Sequence, residues 1–351
     1  MSKIDQIISD LTLEEKVSLL SGFNSWYTNK IDRKGIPSIK MSDGPNGVRG
    51  DSNSGKTSAC FPCAISISSS WDLDQVKKIG VALGEEAQAK DVDVLLGPTI
   101  NIHRHPLGGR HFESFSEDPF LTGKIASSYV QGVQSQNVAA CLKHFVGNDT
   151  EFERHSISSN IDEQTLREIY LLPFEIGVKE GNAKVVMSAY NKLNNIYCSS
   201  HQEILIDILK KEWGFDGYVV SDWGAALETE ENANGGLDLE MPGPGNVWGN
   251  ALIDAINSKR VSEDLIDDKV KRILSIAEFS KRFDQPEIKN EEAIDNTEHR
   301  KLLRKAAADE MVLLKNDGML PLKKDIKKLA IIGPNAKEAQ IIGGGSASLR
   351  P

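Results

Sequence analysis

Four short apolar runs in this 351-residue chain each hand over to side chains that can do chemistry. Met41 leads into Ser42-Asp43-Gly44-Pro45-Asn46-Gly47 and Leu142 into Lys143-His144-Phe145. Met187 leads into Ser188-Ala189-Tyr190-Asn191, and Val220 into Ser221-Asp222-Trp223-Gly224. Carboxylate oxygens can accept from neighbouring hydroxyls, Lys143 and His144 can donate, and the aromatic rings can stack or pack. Each group taken singly also has a plainer reading. Asp43 before Gly44-Pro45 suits a turn, and Asp222 suits the N-cap of a following helix. His144 could be a satisfied core histidine, Arg110 a member of an ordinary ion pair, and Met187 and Tyr190 packing residues. What favours a site is that four runs end alike, because a (β/α)-barrel gathers its active site at the C-terminal ends of its strands.

The elements that must position these groups are legible as alternating patterns. Ile39 to Met41, Val92 to Leu96, Ala139 to Leu142, Lys184 to Met187 and Tyr218 to Val220 read as buried parallel strands, with a less regular sixth at Leu237 to Met241. Between them, Ile204, Leu205, Ile208, Leu209 and Trp213 recur at helical spacing, as do Leu265, Ile266, Val270, Ile273 and Leu274. Thr12 and Glu15 form a capping box that opens the first expected helix. The alternation predicts an α/β fold, a (β/α)8 TIM-like barrel over residues 1–285. Residues 286–296, with Pro286 and many charges, read as a linker. From 297 a helix is expected through Leu302, Leu303, Ala306 and Ala307, then a strand from Leu329 to Pro334. One helix and one strand cannot bury a core, so residues 297–351 are expected to be the truncated start of a second domain.

Composition narrows the function classes. The chain has 41 Lys+Arg against 51 Asp+Glu, a formal net charge of -10, which argues against nucleic-acid and membrane-surface partners. No apolar run approaches the roughly 20 residues of a membrane span, and the N-terminus turns polar at once, so a cytoplasmic protein is expected. The four cysteines are too few for a disulfide scaffold, and Cys60-Phe61-Pro62-Cys63 lacks the second pair a zinc site would want. His103, His105 and His111 lie in a Gly/Pro loop without helical ligand spacing, and Gly343-Gly344-Gly345 is not followed by the G-K-[ST] of a phosphate loop. No metal and no cofactor are expected.

Five ordered blocks resemble glycoside hydrolase family 3, particularly its β-glucosidases. They are Ser42-Asp43-Gly44-Pro45-Asn46-Gly47-Val48-Arg49-Gly50, the stretch from Gly108-Gly109-Arg110 to Glu117-Asp118-Pro119, Lys143-His144-Phe145-Val146-Gly147-Asn148, Met187-Ser188-Ala189-Tyr190-Asn191 and Ser221-Asp222-Trp223. The stretch from Val312-Leu313-Leu314 to Leu320-Pro321-Leu322 resembles the family's entry into its second, αβα sandwich domain. The resemblance implies retaining hydrolysis of terminal non-reducing β-D-glucosyl residues, with small β-glucosides or cello-oligosaccharides as substrates. It makes Asp222 the nucleophile and gives Asp43, Arg110, Lys143 and His144 to the sugar hydroxyls. Met187, Tyr190 and Trp223 would wall the subsite, with Arg154 orienting its neighbours. A homo-oligomer stays open.

In that family the general acid/base is a glutamate of the second domain, which places it beyond Pro351. Its loss typically costs about 10²–10⁴-fold, so one alternative is an impaired barrel that only binds β-glucosides. Another is the single-barrel β-N-acetylglucosaminidase branch, whose Lys-His-Phe-Pro-Gly-His-Gly pattern reads here Lys143-His144-Phe145-Val146-Gly147-Asn148-Asp149, with His155 nearby.

Overall fold

The computed structural model describes residues 2–51, 55–341 and 343–351. Five of the apolar runs form strands: β1 Met41–Asp43, β2 Val94–Leu96, β3 Ala139–Phe145, β4 Val185–Ser188 and β5 Tyr218–Ser221. They lie side by side in chain order, every neighbouring pair parallel. Each residue of β2 to β5 is buried, as expected of a sheet covered on both faces. The register pairs Asp43 with Leu96, Phe145 with Ser188, and Ser188 with Ser221. The strands therefore end nearly level, and the residues that follow them share one rim.

The sixth apolar run closes part of the remaining arc. Asp238 and Leu239 donate to Val219 O, Glu240 bridges to Ser21, and Tyr27 bridges to Lys40 just before β1. The sheet thus curls round, but residues 20–28 and 237–241 meet their neighbours at single bridges rather than ladders. Five regular strands in a curled half-barrel stand where the sequence pattern led to an expectation of eight.

The helices follow their caps. Thr12 Oγ1 accepts from Glu15 N (3.3 Å) while Glu15 Oε2 accepts from Thr12 N (2.9 Å), and Leu13–Leu19 follows. It is not the first helix. Lys3–Ser9 precedes it behind a reciprocal Ser2–Asp5 box, which the expected Glu/Gln pattern overlooks because a shorter carboxylate makes the same bond. Leu73–Ala89 and Pro119–Gln134 cross closely where Gly80 meets Gly132, and a Cβ on either would strike the other helix's backbone. The two helical patterns read from the sequence appear as Glu203–Glu212, wound with π-type turns, and Glu263–Phe279.

Residues 286–296 pack against the half-barrel. Glu291 is buried against Lys40 at 2.7 Å, and Glu292 N donates to Ala89 O. The helix Thr297–Asp309 follows, and its His299 sits between Glu85 (2.8 Å) and Glu86 (3.3 Å) of Leu73–Ala89. The strand expected from Leu329 to Pro334 does not form. Ile331 and Ile332 are 72% and 92% exposed, and an extended segment without a pairing partner has nowhere to place its backbone groups or its apolar face. The chain then returns to the half-barrel, where Arg350 O accepts from Ser58 N and Ala347 is buried.

Below the sheet, the Arg282 guanidinium joins the end of Glu263–Phe279 to the entry of β2 by bonding both Asp91 and Asp93 at 2.9–3.1 Å, all three side chains being buried. Arg282→Ala leaves two carboxylates uncompensated, and urea unfolding should show a loss of about 3–5 kcal/mol. A loss under about 1 kcal/mol, the size of a surface pair, would mean that this anchor is not structural.

Candidate active site

The C-terminal ends of the five strands surround a cavity of about 420 Å³, within the roughly 300–1,000 Å³ typical of small-molecule sites. All eight residues singled out above line it. Asp43 ends β1, Lys143 and His144 lie in the last turn of β3, Met187 lies in β4 with Tyr190 just beyond, and Asp222 and Trp223 follow β5. Arg110 reaches it from the long loop after β2, and Arg154 from the loop after β3. Gly44 permits the turn after Asp43, since its φ of 126° and the nearby Gly47 carbonyl leave no place for a Cβ.

Asp222 is not a helix cap, because the next helix begins at Glu230. Its backbone N–H donates to Ser188 O (3.0 Å) and its Oδ1 accepts from Trp223 N (2.8 Å). Its Oδ2 has no hydrogen-bond partner among the described residues. Burial pushes the Asp222 carboxyl above the ordinary range, and Lys143 and Arg110 pull against that. Asp43 is likewise raised by burial and opposed by its two cations, Lys143 Nζ and Arg49 Nη1, each 3.6 Å from a carboxylate oxygen. Lys143 therefore serves both carboxylates.

His144 is held by one amide. Its backbone N–H donates to Asn101 Oδ1 (2.9 Å), and its carbonyl accepts from Asn101 Nδ2 (2.9 Å). That pair fixes which way the amide faces, so Oδ1 also lies 3.1 Å from His144 Nδ1, and Nδ1 must carry the proton. Burial, reinforced by Arg110, Lys143 and Arg154, holds the imidazole well below its usual pKa, so it is neutral. Its Nε2 is then a bare acceptor, 3.6 Å from Asp222 Oδ2. The expectation that His144 donates is thereby reversed: two acceptors stand 3.6 Å apart, and a ligand hydroxyl lodged beside them can donate to one of the two.

Arg110 is oriented by residues the sequence reading passed over. Its Nε bonds the buried Glu113, and its Nη2 donates to Ser346 Oγ (2.9 Å), which in turn donates to Glu113 Oε2 (3.2 Å). Glu113 follows Arg110 by three residues, a spacing that could have suggested the pair. Ser346 had no local signal, and Gly343, Gly344 and Gly345 before it line the cavity with backbone. Trp26 also lines it, 5.5 Å from Trp223 in a tilted ring pair. The Trp223 indole N–H is committed to Ser25 O (2.9 Å), and the Tyr190 hydroxyl to Trp223 O (2.9 Å). Arg154 bonds Glu151 (2.8 Å) and lies over the Tyr190 ring. His155 packs on that ring at 4.3 Å rather than lining the cavity, and Asn148 is buried behind His144.

Residues 3–276 match the model of the glycosyl hydrolase family 3 N terminal domain, and residues 311–351 that of its C-terminal domain. A β-glucosidase of Rhizobium radiobacter is 50% identical over 349 residues, covering 99% of this chain and 43% of its own length. β-Glucosidase B of Emericella nidulans is 48% identical over 355 residues, covering 99% and 42%. The crystal structure of a Kluyveromyces marxianus β-glucosidase in complex with glucose superposes with a TM-score of 0.94 at 43% identity, over 99% of this chain and 43% of that one. β-Glucosidase 3B of Thermotoga neapolitana, also in complex with glucose, superposes with a TM-score of 0.93 at 38% identity, over 100% and 52%. The chain thus spans 42–43% of the length of these curated relatives.

The His144 assignment can be checked directly. In ¹⁵N-histidine spectra, His144 should show a protonated Nδ1 and a bare Nε2, unchanged between about pH 6 and 8 where an ordinary histidine titrates. A shift pattern that titrates in that window would refute the neutral, acceptor-presenting ring.

Proposed function

The chain belongs to glycosyl hydrolase family 3, and on that premise we propose that it carries the sugar-binding, nucleophile-bearing part of a retaining β-glucosidase. The observation that carries this reading is Asp222. It is a buried carboxylate with one oxygen tied to Trp223 N and the other without a hydrogen-bond partner among the described residues, lining a cavity beside Lys143, Arg110, Asp43 and His144. Asp222 Oδ2 would attack the anomeric carbon as the bond to the aglycone oxygen breaks, giving a covalent glucosyl ester that water then hydrolyses with net retention. Lys143 and Arg110 favour the ionised carboxylate that attack requires.

The other groups divide by what the cavity leaves free. Asp43 can accept from two neighbouring hydroxyls, Lys143 and Arg110 can donate, and His144 Nε2 can accept. Trp223 has spent its N–H on Ser25 and offers its ring. Substrates of this class are small β-glucosides or cello-oligosaccharides. The general acid is a separate matter. As the family resemblance implies, we assign protonation of the leaving group to a glutamate of the second domain, while Asp43, Glu113 and Glu151 are each engaged by a cation. We read the curled sheet as an irregular (β/α)8-type barrel over residues 1–285, 286–296 as its linker, and residues 297–351 as the opening of an αβα sandwich domain.

A 2-deoxy-2-fluoro glucoside with a dinitrophenyl leaving group needs little acid assistance and releases its intermediate slowly. Incubation should add one fluoroglucosyl mass to the peptide containing Asp222, and Asp222→Ala should add none. Labelling elsewhere, or equally in the variant, would remove Asp222 from its role.

The labelling rate has a definite pH sense. Protonation of Asp222 stops attack, so the rate should fall as pH drops, with a midpoint above the ordinary aspartate value because burial raises the group. Lys143→Met removes a cation that opposes that shift and should move the midpoint to higher pH. A midpoint that moves down, or not at all, would show that Lys143 does not support the charge.

A further inference from the structure

A second, far smaller chamber lies behind the sugar cavity, about 10 Å³ in volume, and Gly109, Arg110, His144 and Glu151 line both. That volume suits one water molecule, provided two to four polar groups meet it. Three lining residues supply such groups. Asn148 Oδ1, both Asp149 carboxylate oxygens and His111 Nε2 are buried and without a hydrogen-bond partner among the described residues. Buried polar atoms rarely go unpaired, and here three side chains with unpaired atoms converge on one place. Burial also pushes Asp149 up to about 7, against the pull of Arg104 and of the Ile102 backbone.

The chemistry of the chamber selects its occupant. Asn148 Oδ1 only accepts, and Asp149, raised to about 7, keeps an accepting oxygen in either protonation state, so the occupant must donate. Arg110 in the wall and Arg104 acting on Asp149 disfavour a cation. A neutral molecule with two hydrogens meets both demands. Asn101 completes the set: its Oδ1 is used twice by His144, and its Nδ2 keeps one hydrogen after donating to His144 O. That residue lines the same chamber.

We propose that the chamber holds one water, which donates to Asp149 and Asn148 Oδ1 and accepts from Asn101 Nδ2, and that Asp149 is thereby a positioning residue for His144. Holding the second hydrogen of Asn101 adds to the two His144 backbone bonds that already orient the amide, so the water steadies the arrangement that sets the His144 tautomer and keeps Nε2 an acceptor towards the sugar cavity. The role rests on reading that cavity as the sugar site; the water and the tautomer do not.

A high-resolution crystal structure of the full chain should show one water within hydrogen-bond distance of Asp149, Asn148 and Asn101, and a chamber without it overturns the proposal. In Asp149→Leu, folded by circular dichroism, ¹⁵N spectra should show His144 protonated mainly at Nε2. Glucose should bind about ten-fold more weakly, the worth of one hydrogen bond. Asp149→Asn still accepts from the water, so it should keep the wild-type spectrum and stay within about three-fold in affinity. A folded Asp149→Leu with an unchanged His144 spectrum overturns the positioning role. If that variant does not fold, the wild-type density and the Asp149→Asn spectrum decide. Failure of the wild-type chain to bind glucose counts against the sugar reading alone, because neither the density nor the spectrum depends on glucose.

Discussion

A carboxylate removed from water keeps its charge only where fixed positive charge stands close to it, and Asp222 is such a carboxylate. Much of the cavity follows from that constraint. Lys143 lies between Asp222 and Asp43 and acts on both, while Arg110 adds a second positive charge from another loop. Arg110 is itself a flexible chain with a rigid head, and the Glu113–Ser346 pair fixes the head. His144 contributes by staying neutral, since a third cation beside Lys143 and Arg110 would be repelled by both.

These groups come from separate strands and loops, and the sheet is what makes most of them neighbours. Parallel pairing carries each strand in the same direction, and a register that levels the strand ends delivers every following residue to one rim. The price appears along the arc beside the curled sheet. Residues 20–28 and 237–241 are bridged rather than laddered, yet this arc also brings Ser25 and Trp26 to Trp223. Irregular backbone is thus found where the cavity needs an aromatic wall.

The segment after Asp309 shows the opposite case. Leu314 and Ile332 are each 92% exposed, and the apolar run from Leu329 that reads as a strand stays extended without a partner. Apolar periodicity states what a segment can pair with; it does not supply the pair. Beyond Glu310, which is buried against Ser66 and Ser69, the chain gains buried contacts again where it returns at Ser346, Ala347 and Arg350, and there it becomes part of the cavity wall.

Sequence by itself determined the local features: the Thr12–Glu15 box, the buried runs that became β1 to β5, the two helical patterns, and the ordered blocks that place Asp43, Lys143, His144, Tyr190 and Asp222 at or just beyond strand ends and Arg110 in a loop. Such signals repeat every two or 3.6 residues, or recur as fixed motifs, so a short window contains them. Tertiary structure decided what depends on distant partners. Ser346 meets Arg110 across 236 positions and Trp223 meets Ser25 across 198. The His144 tautomer is set by Asn101, 43 positions away, and it turned an expected donor into an acceptor. Proton placement and charge balance are properties of the assembled surroundings, and no window of sequence holds those surroundings together.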